Sequence, residues 1–206
     1  MNDGHAEPTR REQYALVTQQ AIIDAARKLF AERGYFATKV EEIAAKADVS
    51  PATVYASAGG KQGLLAEMIR LWATDPAIEI DLDRTSASTD PHYIIAELAS
   101  TVRQLREQWA DVIRVLLTTA PHDPAVAAQL DASTQYYREC IASIAQRLSE
   151  LGTLRHGVDA ASATDILWFY FGNGSLLTLH DENDWTYDQA ERWLADRATQ
   201  ELIAQT

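Results

Sequence analysis

Apolar residues recur at helical spacing over most of the chain. Ile22, Ile23, Ala26, Leu29 and Phe30 lie three and four apart and form one face. They predict a first helix from about Tyr14 to Glu32, stopped by Gly34. Thr38 and Glu41 have capping-box spacing and open a short second helix to about Lys46. Ala47-Asp48-Val49 reads as a tight turn. Ser50 is placed as an N-cap, with Pro51 at the first helical position, where its missing N–H costs nothing. The third helix then runs to about Ser57 and ends at Gly59-Gly60. A fourth starts near Lys61 and carries Leu64, Leu65, Met68, Ile69 and Trp72.

The pattern lapses between Thr74 and Asp90. Residues 77–83 alternate apolar with acidic side chains, but no partner strand exists elsewhere, so an extended loop is expected. Helical periodicity resumes from Pro91 to about Gln108, then from Trp109 to Thr119. Asp123-Pro124 opens a long helix with Leu130, Tyr137, Ile141, Ile144 and Leu148 on one face, ending at Gly152. Another is expected from Asp159 to His180. The last begins at Thr186, which forms a second capping box with Gln189. About nine helices and no convincing set of strands make the class all-α.

Hydrophobic residues are 47% of the 206, enough for a real core and against wholesale disorder. The single cysteine, Cys140, excludes an internal disulfide and a cysteine-cluster zinc site. The longest apolar run, Ile166 to Phe171, is far short of the ~20 residues of a membrane span. No signal-peptide stretch opens the chain, so a cytoplasmic protein without membrane contact is expected. His5, His92, His122, His156 and His180 lack metal-ligand spacing, and neither a nucleophile elbow nor a phosphate loop occurs. No enzyme chemistry, metal or cofactor is therefore expected.

The net charge of −12 at first discourages a nucleic-acid reading. Its distribution changes that. Residues 1–64 are electrically balanced, and all four lysines lie there, so the excess of acid belongs to the rest. A neutral head on an acidic body can still offer one face to DNA.

Thr38 to Ser57, TKVEEIAAKADVSPATVYAS, has helix–turn–helix logic. Val40 and Ile43 face inward, Ala44 is small where two helices approach, and Val49 and Val54 close the core. The second helix of the pair would project Pro51, Ala52, Thr53, Tyr55 and Ala56 outward, and such a helix fits the major groove.

The longer run AARKLFAERGYFATKVEEIAAKADVSPATVYASAGGKQGLL resembles the N-terminal domain of the tetracycline-repressor (TetR) family of transcriptional regulators. The resemblance spans about residues 18–72 and rests on Ala25-Ala26, Leu29-Phe30, Gly34-Tyr35, Thr38, Ile43-Ala44, Val49-Ser50, Thr53-Val54-Tyr55, Lys61 and Leu64-Leu65. It implies DNA contact by Thr53 and Tyr55, and phosphate contact by Thr38 and Lys61. Lys39, Ser50, Pro51 and Ala52 complete the candidate DNA face. Two positions depart from the family pattern. Asp48 stands where glycine is usual, and Ala58 where phenylalanine is usual, which points to a looser junction into the fourth helix or one packed from elsewhere.

The resemblance also implies a division of the chain. Residues 1–12 form a flexible arm, 13–60 the helix–turn–helix DNA-binding domain, and 61–206 an effector-binding and dimerisation domain. Its partners are a double-stranded DNA operator, a small-molecule effector and a second copy of the chain. The mostly apolar surface of Ile166-Leu167-Trp168-Phe169-Tyr170-Phe171 requires cover on every side. With the ending WTYDQAERWLADRATQELI it suggests a dimer interface containing Phe169, Leu176, Trp193 and Leu194. Trp72, Trp109, Tyr136, Tyr137, Cys140, Trp168, Phe171 and Asn173 are the candidate effector-pocket residues, suited to an apolar or aromatic molecule. The acidic body disfavours highly anionic effectors. The resulting expectation is a homodimeric repressor released from a palindromic operator by its effector. The alternative is a family member without DNA binding that serves as a ligand-binding or protein-interaction module.

Overall fold

The computed structural model describes residues 9–204. They form ten α-helices and one 3₁₀ turn: α1 (Arg10–Arg33), α2 (Val40–Lys46), α3 (Pro51–Ala58), α4 (Lys61–Ala73), α5 (Pro76–Ala87), α6 (Pro91–Thr119), the 3₁₀ turn (Ala120–His122), α7 (Pro124–Glu150), α8 (Ala160–Phe171), α9 (Ser175–Asp181) and α10 (Tyr187–Leu202). Among the described residues the only extended pairing is an isolated bridge between Leu154 and Ile203. The all-α class is as expected.

Four local expectations change. Helix α1 begins at Arg10 instead of Tyr14, because Thr9 and Glu12 form a capping box there. Of the expected flexible arm, residues 1–8 lie outside the described residues, while 9–12 are cap and helix. The expected loop after Thr74 is largely helix α5. Asp75 caps it by accepting from the Ala77 N–H, and Pro76 occupies its first turn. This is the same Asp-Pro start that opens α7. Buried Asp81 and Thr85 and half-buried Ile78 and Leu82 lie at helical spacing, and the acidic residues between them hid that pattern. The two helices expected between Pro91 and Thr119 are one. Ile94, Leu98, Val102, Leu105, Trp109, Val112 and Leu116 continue one buried stripe without a breaker. Conversely, the single helix expected from Asp159 to His180 is two, divided at Gly172-Asn173-Gly174.

The chain packs as two compact units. The first comprises residues up to Arg70 together with Arg114–Ala127. In it α1, α2 and α3 pack on one another around Ile22, Ala26, Phe30, Ile43, Ala44 and Val54. The second comprises Leu71–Ile113 and the chain from Ala128 onward. Its core joins Ile94, Leu98 and Val102 of α6 to Ile141, Ile144 and Leu148 of α7, Leu167 and Phe171 of α8, Leu176 of α9, and Leu194, Ala198 and Leu202 of α10. Each fully buried side chain of this size contributes roughly 1.5–3 kcal/mol through its removal from water.

Candidate functional site

Helix α3 is short, and its start is fixed by its own sequence. The Ser50 hydroxyl accepts from the Thr53 N–H at 3.1 Å and lies 2.8 Å from the Thr53 hydroxyl. Pro51 occupies the first turn. Val54 is the only buried residue of the helix, so a single side chain anchors it and the rest of its surface is left to solvent. Pro51 and Ala52 are exposed, Thr53 is half-buried, and Tyr55 is 57% exposed. A large aromatic left this open next to a capped helix start is suited to contact something outside the molecule.

The turn before α3 tolerates its aspartate. Asp48 has φ 55°, in the left-handed region where aspartate is among the less costly non-glycine residues. Its side chain is exposed. The junction after α3 is tight rather than loose. Gly59 and Gly60 both have positive φ. A Cβ at Gly60 would meet the Tyr55 ring at 2.9 Å, and one at Gly63 would lie 1.6 Å from the Ala58 carbonyl oxygen. Ala58 therefore packs through its backbone, and Gly63 is what permits the approach. Of the two expectations for a junction without the phenylalanine, looser or packed from elsewhere, this geometry matches the second.

Thr38 is placed differently from expectation. It is 1% exposed, and its hydroxyl donates to the Gly34 carbonyl at 2.9 Å and the Leu29 carbonyl at 3.3 Å. It neither caps α2 nor turns its hydroxyl outward for a phosphate. The cap residue is Lys39, whose N–H donates to the Glu42 carboxylate at 2.9 Å. That bond, with Arg33 at 2.6 Å from the same carboxylate, holds Glu42 below the usual carboxylate range. The Lys39 side chain is left in solvent. Lys61 is half-buried. Its ammonium donates to the Tyr35 carbonyl at 2.7 Å and lies 4.6 Å from the centre of the Tyr35 ring. Burial lowers its pKa. Lys61 thus links the start of α4 to the α1–α2 connection.

In the second unit, two adjoining cavities, about 340 and 300 Å³ with the open solvent at their mouths included, share Ile78, Leu105, Tyr137 and Cys140 as walls. Of the expected pocket residues, Trp72, Tyr136, Tyr137 and Cys140 line the larger one. The other four do not. The Trp109 indole donates to Asp75 at 3.0 Å. Trp168 packs edge-on against Tyr137 with Arg138 over its face. Phe171 is core, and its carbonyl accepts from the Tyr137 hydroxyl. The Asn173 amide donates to the Thr134 hydroxyl at 3.2 Å. Ala73, Ile78, Leu105, Arg106 and Ser133 are wall residues that sequence reasoning missed. Arg106 gave no signal because it occupies an otherwise apolar stripe of α6. Burial raises the pKa of the Cys140 thiol, so it is not an activated nucleophile.

Of the expected interface residues, Phe169 is 71% exposed and Trp193 41% exposed, so both are open to a partner. Leu176 and Leu194 are buried in the core of their own unit and cannot reach one. No helix among the described residues is long and apolar enough to cross a membrane.

Residues 22–68, which contain the whole α2–turn–α3 arrangement, match the family model "Bacterial regulatory proteins, tetR family". Residues 22–68 thus form a segment similar to the DNA-binding domain model of the tetR family. YvkB of Bacillus subtilis (strain 168), an uncharacterised HTH-type transcriptional regulator, is 23% identical over 155 residues, covering 75% of this chain and 80% of its own. NalD, the secondary repressor of the MexAB-OprM multidrug efflux pump in Pseudomonas aeruginosa, superimposes with a TM-score of 0.76 at 22% identity, over 94% of this chain and 100% of its own. SmeT, the repressor of the Stenotrophomonas maltophilia efflux pump SmeDEF, in its triclosan complex, superimposes with a TM-score of 0.74 at 21% identity, over 91% and 92%. The relative is described as a transcriptional regulator and the two solved structures as repressors, and with both structures the chain shares its fold.

Proposed function

We propose that this chain is a tetR-family homodimeric repressor that binds a palindromic operator and leaves it when a small molecule occupies the second unit. The observation that carries this reading is the open face of α3: a capped, singly anchored helix presenting Pro51, Ala52, Thr53 and Tyr55 to solvent. A helix of this kind enters the major groove, with residues near its start reaching base edges. Its face has few long polar side chains, so contact with thymine methyls and readout of DNA shape carry much of the specificity. Lys39 supplies a phosphate contact. Lys61 spends one of its three N–H donors on the Tyr35 carbonyl and offers another to a phosphate.

The first unit carries DNA binding; the second carries effector binding and dimerisation. Exposed Phe169 and Trp193 supply apolar anchors for the second copy, whose two-fold symmetry matches a palindrome. The cavity beside Trp72 receives the effector; SmeT, a protein of the same fold, forms a complex with the small aromatic molecule triclosan. Release requires the effector to bind the free and DNA-bound conformations with different affinity.

Selection of genomic fragments by purified protein at about 150 mM salt tests operator binding, since phosphate-driven non-specific binding is weak there. Wild type is expected to enrich a palindromic fragment. Tyr55→Ala is expected to weaken it by roughly 1–3 kcal/mol while leaving the fold intact. Enrichment of no fragment, or equal enrichment by Tyr55→Ala, would count against α3 as the reading helix and favour the ligand-binding module.

A further inference from the structure

The second unit buries a cation that the protein leaves incompletely satisfied. Arg106 is fully buried and forms part of the wall of the larger cavity. Its Nη2 donates at long range, 3.3 Å to the Gly172 carbonyl and 3.5 Å to the Asn173 side chain. Its Nε and Nη1 have no hydrogen-bond acceptor. A guanidinium carries five N–H groups, so three of them are unspent. The groups that favour its charge are the phenols of Tyr137 and Tyr187, not a carboxylate. Buried Asp81, on the adjoining cavity, feels Glu97 and Arg84 instead. An isolated buried cation costs several kcal/mol unless an anion with good geometry meets it. Other functional arginines in protein interiors meet carboxylates or phosphates. Here the missing partner and the adjoining space coincide.

We propose that the effector of this chain is a small aromatic or apolar acid whose carboxylate binds Arg106 while its ring lies against Trp72, Ile78, Leu105 and Tyr136. A single negative charge fits best. The remaining wall is mostly apolar, and neither cavity offers a second cation beside Arg106. Bound carboxylate also reaches the α8–α9 break, because the same guanidinium holds Gly172 and Asn173. The acidic surface of the body does not decide ligand charge, since the local field at a buried guanidinium outweighs distant screened charges.

This proposal rests on reading the second unit as the effector domain. Its test uses no DNA, so either reading can fail without the other. Full-length protein is titrated with matched acids and amides: benzoate and benzamide, phenylacetate and phenylacetamide, 1-naphthoate and 1-naphthamide. Quenching of tryptophan fluorescence, with Trp72 in the wall, and calorimetry report binding. At least one acid is expected to bind ten times more tightly than its amide. Arg106→Met is expected to bring the pair within twofold. Arg106→Lys, which keeps the charge but loses the planar fork, is expected to retain the acid preference with weaker binding, and serves if Arg106→Met does not fold. Equal binding of every acid and its amide, or no binding by any acid, overturns the proposal. So does an acid preference that survives in folded Arg106→Met.

Discussion

Asp81→Asn should make stability less sensitive to alkali. Asp81 lies on α5 among the walls of the smaller cavity, 4% exposed, with Oδ1 unpartnered. Burial, and then the negative charge of Glu97, push its pKa up from 3.8 to about 7, against weaker opposition from Thr101 and Arg84. The folded chain therefore holds a proton that the unfolded chain releases near pH 4. The sign follows: this group's contribution is fully present below pH 3.8 and is lost as pH rises to about 7. Each pH unit within that window removes about 1.4 kcal/mol, which sets a ceiling of about 4 kcal/mol over the whole of it. Between pH 5 and 8 the expected loss is about 2–3 kcal/mol. Asparagine keeps the shape and cannot ionise. Urea unfolding of both proteins at fixed concentration, followed by far-ultraviolet circular dichroism at half-unit pH steps, measures the difference. Other carboxylates, including Glu191, whose pKa burial also raises, are common to both proteins and cancel. Near pH 5 the variants should agree within about 1 kcal/mol, and by pH 8 Asp81→Asn should be the more stable. Parallel curves across the range would refute the reasoning.

Two further outcomes follow from packing. Gly63→Ala places a methyl group against the Ala58 carbonyl, which is backbone and cannot swing away. Thermal unfolding should show a loss of about 1–3 kcal/mol or more, and operator affinity should fall with it because the same junction positions α3. Leu194→Ala removes a core side chain and should cost about 2–5 kcal/mol, whereas neighbouring Trp193→Ala should change stability little and shift sedimentation toward monomer. A Trp193→Ala protein that sediments like wild type would remove this side chain from the proposed interface.

Local sequence determined much of the helical head. Ser50 and Pro51 fix the start of α3, Asp48 survives in a left-handed turn, and Ile22, Phe30, Ile43 and Val54 turn inward at the spacing their periodicity dictates. Thr186 and Gln189 likewise open α10 as their spacing requires. These features depend on interactions within a few residues, which a linear pattern records. The Asp75-Pro76 start of α5 was also present in the chain, but alternating acids concealed the helical face behind it.

Other features depended on what lies far away in sequence. Thr38 looks like a cap until the Leu29 and Gly34 carbonyls claim its hydroxyl. Leu176 and Leu194 look like interface residues until the core of their own unit encloses them, while Phe169 beside them stays open. Arg106 resembles an ordinary interruption of an apolar stripe. Only tertiary packing brings it within reach of Gly172, 66 residues away, and leaves Nε and Nη1 facing no acceptor. Periodicity specifies which face of a helix avoids water. Which polar groups find partners across that face depends on distances between elements remote in sequence, and in this chain that decided the character of the cavity.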